Sequence, residues 1–133
     1  MNHEKHEWHE KVLFKEESFA IQGAINDVYR EIGNGFLEAI YQECLAIEFR
    51  RQNIPFEAQK SLSIAYRGEP LQQMYLADFV CFDAIVVELK VARDLAPEHR
   101  AQVLNYLKAT GLHLGLLVNF GQHPKAQIAR IVL

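Results

Sequence analysis

Apolar residues first recur at helical spacing from near Lys15 or Ser18, where Phe19, Ile21, Ile25, Val28 and Ile32 are predicted to share one face. Gly33-Asn34-Gly35 breaks that helix: Gly33 suits a helix C-terminus and Asn34 can cap the next helix. The second helix is predicted from about Gly35 to Gln52, with Leu37, Ile40, Tyr41, Cys44, Leu45 and Phe49 as its buried stripe and Glu43, Arg50 and Arg51 in solvent. After Pro55 the period drops to two. Ala58 to Arg67 alternates Leu62, Ile64 and Tyr66 with small residues, Gly68-Glu69-Pro70 signals a turn, and Leu71 to Phe82 and Ala84 to Val91 follow as strands. Ile85 to Val87 is apolar on both faces, which marks a central strand. Pro97 opens a further helix and Gly111 ends it. His113 to Phe120 reads as a buried strand and Gln127 to Leu133 as an edge strand. The order α-α-β-β-β-α-β-β, with one strand-helix-strand crossover, predicts an α/β fold in which a mixed β-sheet is flanked by helices.

Three ionisable groups stand where this pattern calls for apolar ones. Leu76 to Lys90 reads LADFVCFDAIVVELK, so Asp78, Glu88 and Lys90 interrupt two buried strands. A charge taken out of water has to be paired, metal-bound or neutralised. Strand alternation puts Glu88 and Lys90 on the same side as Val86. Asp78 joins them only if the hairpin loop is odd. A three-residue loop at Phe82, Asp83 and Ala84 sets Cys81 opposite Ile85 and Asp78 opposite Glu88, whereas a two-residue loop separates the acids. The odd loop is expected because it alone gathers the costly groups. Such loops favour a residue tolerant of positive φ near their end, and Ala84 is a poor one.

Composition narrows the setting. Half of the 133 residues are hydrophobic and 23% are charged, enough for one domain at residues 15–133 behind a flexible polar tail at 1–14. His3, His6 and His9 alternate with glutamates in that tail, where a solvated end is expected over a metal-binding face. Cys44 and Cys81 lie in apolar patterns without CxxC spacing, so they read as buried free thiols in a reducing compartment. The N-terminus lacks a hydrophobic signal core and no apolar run reaches membrane-spanning length, which points to the cytoplasm. The formal charge of -3 offers no long-range pull on a polyanion. Nucleic-acid binding would therefore need a local basic patch or a bound metal.

Two helices carry further candidates. Glu38 sits at the margin of the second helix's apolar face, from which its carboxylate could reach the sheet; an ordinary first-turn surface glutamate, favoured by the helix dipole, is the competing reading. In PEHRAQVLNYLKATG, Val103, Leu104 and Leu107 are predicted to pack inward, while His99, Gln102 and Tyr106 follow one adjacent strip. Gln102 could lean from that strip over Glu88 and Lys90. Singly, His99 and Gln102 are commoner as surface or packing residues.

Asp78, then Glu88-Leu89-Lys90 on the next strand, then Gln102 on the following helix, resembles the active-site signature of the PD-(D/E)XK nuclease superfamily, with its restriction-endonuclease-like core. Gly35-Phe36-Leu37-Glu38-Ala39-Ile40-Tyr41 is similar to the GxxExxY motif of a family within it, as are the HxxQxxxYL of His99 to Leu107 and the TGxxxGLLxNF of Thr110 to Phe120. The resemblance spans Phe19 to Leu133. Two positions depart from it: Asp78 follows Ala77 rather than proline, and Tyr29 stands after Val28 where that family has histidine.

The resemblance implies Mg²⁺, with Mn²⁺ as substitute, held by Asp78, Glu88 and the backbone carbonyl of Leu89, and by Glu38 through water. Few hard oxygen ligands completed by water are what Mg²⁺ prefers. It implies that Lys90 orients or deprotonates the attacking water, that Gln102 positions the lysine or the water, and that His99 and Tyr41 are accessory. The implied activity is phosphodiester hydrolysis by metal-activated water, with nucleic acid, DNA ahead of RNA, as partner and no membrane. A homodimer fits a domain small enough to grip little of a duplex. The alternative is a catalytically silent binding module in which Lys90 forms a structural salt bridge with Glu88 or Asp78.

Overall fold

The computed structural model describes residues 14–133; the predicted tail and its histidines lie outside the described residues, Phe14 excepted. Helices α1 (Lys15–Ile32) and α2 (Glu38–Arg51) precede a hairpin of β1 (Phe56–Tyr66) and β2 (Glu69–Cys81), then β3 (Ile85–Lys90), α3 (Pro97–Thr110), β4 (Leu114–Asn119) and β5 (Gln127–Val132). The five strands lie in sequence order, with β3 and β4 parallel across the α3 crossover and the other neighbours antiparallel. β3 is central, as its doubly apolar run predicts, and β5 is an edge.

Alternation along β3 feeds two cores. Ile85, Val87 and Leu89 pack with Ile21, Ile25, Tyr41, Leu45 and Phe49 of α1 and α2. Val86 packs on the other face with Val103, Tyr106 and Leu107 of α3. Gly115 of β4 lets α3 come close, since a Cβ there would stand 2.5 Å from Val103 Cγ1. Among the described residues no helix is long and apolar enough to cross a membrane.

Several predicted details move. α2 starts at Glu38 instead of Gly35, and Leu37, not Asn34, occupies the N-cap position. Gly33 and Gly35 take positive φ, of 69° and 106°, and so turn the chain before the helix can begin. The buried Tyr41 hydroxyl donates to the Gly33 carbonyl at 2.6 Å and accepts the Phe36 N–H at 3.4 Å, while its ring stacks on Phe120. Phe19, Leu37 and Ile40, expected inside, are exposed, and Cys44 is only half-buried. α2 carries apolar residues on two sides, and only the Tyr41–Leu45–Phe49 side meets the sheet. The first hairpin turns at Arg67-Gly68, both at positive φ, so Glu69 and Pro70 belong to β2.

Candidate functional site

The site grows from a break in the ladders around β2. Cys81 faces Ile85, Val80 faces Val86 and Phe79 faces Val87, so the loop is Phe82, Asp83 and Ala84; the ladder ends at Phe79–Val87, one step short of the level of Asp78 and Glu88. The positive φ that this loop needs falls on Phe82 and Asp83, at 56° and 53°, and spares Ala84, whose amide donates to the Cys81 carbonyl. At Asp78 the alternation fails. Phe79 and Cys81 pack toward α1 and α2, whereas Ala77 and Val80 pack toward α3. The neighbouring strand yields at the same level, where Gln59 lies at φ 53° between the pairs Ala58–Phe79 and Lys60–Ala77. This paired irregularity frees the Asp78 amide from ordinary strand pairing.

Side chains take over the lost backbone bonds. The Asp78 N–H donates to Glu88 Oε1 at 2.9 Å, and the Leu89 N–H donates to Asp78 Oδ2 at 2.8 Å. Each acid thus accepts an amide from the strand opposite, which locks the two carboxyl groups side by side. The second oxygens, Asp78 Oδ1 and Glu88 Oε2, take no backbone donor among the described residues. Glu88 is 5% exposed. Burial, followed by the neighbouring Asp78 charge, pushes its carboxyl up to about 8. Burial likewise raises Asp78, against the pull of the Leu89 amide. Negative charge is therefore undercompensated here.

Lys90 follows two residues after Glu88 on the α3 side of β3, half-buried, and its charge lowers the carboxyl groups of Asp78, Glu88 and Glu38. Among the described residues it forms no ion pair with any of them. Glu38, the first residue of α2, is raised by burial and then by Asp78, and lowered by Lys90 and His99. Its side chain is exposed, as a first-turn surface glutamate would be, yet it shares an electrostatic neighbourhood with the pair.

The remaining predicted residues divide. His99 Nδ1 accepts the Ala96 N–H at 2.9 Å, and the His99 N–H donates to the Ala96 carbonyl, closing the first turn of α3. That bond leaves the proton of the neutral ring on Nε2. Gln102 is half-buried and makes no hydrogen bond to Glu88 or Lys90 among the described residues. Tyr106, one turn further along the same strip, is the group that reaches down, its hydroxyl 3.4 Å from Glu88 Oε2 and 3.3 Å from the Leu76 carbonyl. Burial and the Glu88 charge hold that phenol well above the usual range. Its place on the His99–Gln102 strip was the available signal for it. Tyr41 serves the loop before Glu38 and not the acids.

The strand end that carries Lys90 is also pinned. The Phe120 N–H donates to the Lys90 carbonyl at 2.9 Å. The fully buried Asn119 side chain accepts the Ala92 and Gly121 amides and donates to the Ala92 carbonyl at 2.8 Å. A Cβ at Gly121 would lie 2.4 Å from that carbonyl oxygen, so only glycine allows the approach.

Among the described residues no three His, Cys, Asp or Glu side chains are grouped to hold a metal ion on their own. The donor chemistry nevertheless fits a small hard cation. Two carboxylates, each with an oxygen free of backbone donors, match the one or two carboxylates by which Mg²⁺ is usually bound, with water completing its shell. Concavities of about 440 Å³ lie elsewhere, against α1 and the loop after β4, and none of these groups lines them.

Comparisons with known proteins bear on the family and the fold. The family model described as the PD-(D/E)XK nuclease superfamily matches residues 15–131. No curated protein matches significantly. The solved structure described as "Crystal structure of SSO0001" is similar to this chain with a TM-score of 0.55 at 21% identity, over 71% of this chain and 48% of that one. The likeness speaks for the fold, and this chain spans about half the length of that protein.

Proposed function

Because this chain belongs to the PD-(D/E)XK nuclease superfamily, we propose that it is a divalent-metal-dependent nuclease that hydrolyses phosphodiester bonds in DNA, and that it falls in the GxxExxY group. The observation that carries this reading is the convergence of Asp78 and Glu88 beside a lysine that neither of them pairs. Had Lys90 been kept for structure, it would close on one of the two buried acids. Asp78, Glu88 and the Leu89 carbonyl would hold Mg²⁺ or Mn²⁺, with Glu38 acting through water. Such a cation supplies positive charge to the phosphodiester and acidity to a water molecule.

The chain's own groups do the rest. The crossed amide bonds hold the two carboxyls at fixed separation, so little reorganisation is needed when charge develops. Lys90 orients the attacking water, whose oxygen bonds to phosphorus as the P–O bond to the leaving oxygen breaks and a proton passes to that oxygen. Glu38 and Gln102 would border the same space, with His99 within electrostatic reach of Glu38. The proposed domain is residues 15–133. Its proposed compartment is the cytoplasm, a setting in keeping with the free thiols of Cys44 and Cys81.

The test is cleavage of labelled single- and double-stranded DNA, and of RNA, with Mg²⁺ or Mn²⁺. Cleavage is expected to stop on chelation and to fall by at least about 10²-fold in Lys90→Ala and Asp78→Ala, with circular dichroism unchanged. Absence of divalent-ion binding by calorimetry, together with no cleavage, refutes the proposal. Ion binding without cleavage of any substrate favours the silent binding module.

A further inference from the structure

α2 has an apolar seam that its own fold leaves uncovered. Leu37 is 77% exposed, Ile40 38% and Ile47 51%, with the half-buried Cys44 between them. Together with Arg51, whose stem is apolar, these positions advance by three, four, three and four residues, the spacing of a helix pairing seam. The core face of the helix, Tyr41, Leu45 and Phe49, lies elsewhere on its circumference. An exposed apolar strip of this kind, interrupted only by Cys44, which packs partly on the core, marks an interaction surface.

Charge says what covers it. Glu43 and Arg50 flank the seam on one side, seven residues apart, both exposed and both without a charged partner among the described residues. We infer that the seam binds α2 of a second copy of this chain, antiparallel about a two-fold axis. In the register that lays Cys44 over Ile47 of the second copy, Glu43 of each copy comes beside Arg50 of the other, so one pairing is satisfied twice. A parallel copy would oppose like charges. The inference rests on α2 alone and is independent of the nuclease reading.

The experiment is sedimentation equilibrium of the full chain across a concentration series, without added metal or nucleic acid. The wild type dimerises, and Glu43→Arg or Arg50→Glu alone weakens the dimer by about tenfold or more, because each sets like charges together twice. The double swap, Glu43→Arg with Arg50→Glu, restores dimerisation to within about threefold of wild type, and Ile47→Asp abolishes it. All these positions are exposed, and circular dichroism checks that each variant is folded. A monomer at every concentration, single swaps without effect, or a double swap that fails to restore association each overturns the inference.

Discussion

Replacing Glu88 by glutamine tests whether the acid pair is held against its own repulsion. Gln keeps the shape and an oxygen that can still accept the Asp78 amide now bound at 2.9 Å, and it removes one buried charge. Glu88 rises from 4.5 to about 8 on folding. Between those values the folded state binds more protons than the unfolded one, so stability falls as pH rises through that window. At about 1.4 kcal/mol per pH unit, the loss approaches several kcal/mol by pH 8, shared with the coupled Asp78. Glu88→Gln is therefore expected to be more stable than wild type by about 2–4 kcal/mol at pH 8 in chelator, with the difference closing as pH falls below 4.5, where the carboxyl is protonated in the folded and the unfolded chain alike. Urea unfolding at a series of pH values measures this directly. Equal stability of the two proteins across the range, or a wild type that gains stability between pH 5 and 8 relative to the variant, would refute the reasoning. Under the proposed nuclease function the variant is at the same time expected to lose cleavage, since it removes a carboxylate assigned to the metal ion.

Further outcomes follow from the same geometry. Mg²⁺ at millimolar concentration is expected to raise the melting temperature of wild type and not of Asp78→Asn, because only the paired carboxylates reward the ion; equal shifts in differential scanning fluorimetry would contradict the site. Gly121→Ala drives a methyl into the Ala92 carbonyl 2.4 Å away and is expected to cost about 2–3 kcal/mol by chemical denaturation; a neutral result would show that the clamp behind Lys90 yields freely. Tyr41→Phe removes the hydroxyl that ties Gly33 to Phe36 and is expected to destabilise by about 1 kcal/mol, with earlier amide exchange at Phe36; unchanged exchange there would dismiss its role in setting Glu38.

Much of this was written locally in the chain. Periodicity located every helix and strand among the described residues to within a few positions, since each element has to bury one face whatever its neighbours do. The cost of burying Asp78 and Glu88 was enough to predict the odd loop, and with it the meeting of the two acids. What the pattern could not say is which of two apolar faces a helix turns inward. On α2 both Ile40 and Tyr41 look like core, and only the placement of the sheet leaves Ile40 outside. Nor could spacing rank Gln102 against Tyr106, because reach from a helix to a strand depends on side-chain length and on how deep the helix sits. The kink shared by Gln59 and Asp78 is likewise invisible in one dimension: it exists because adjacent strands have to shift together, and adjacency is a property of the folded sheet.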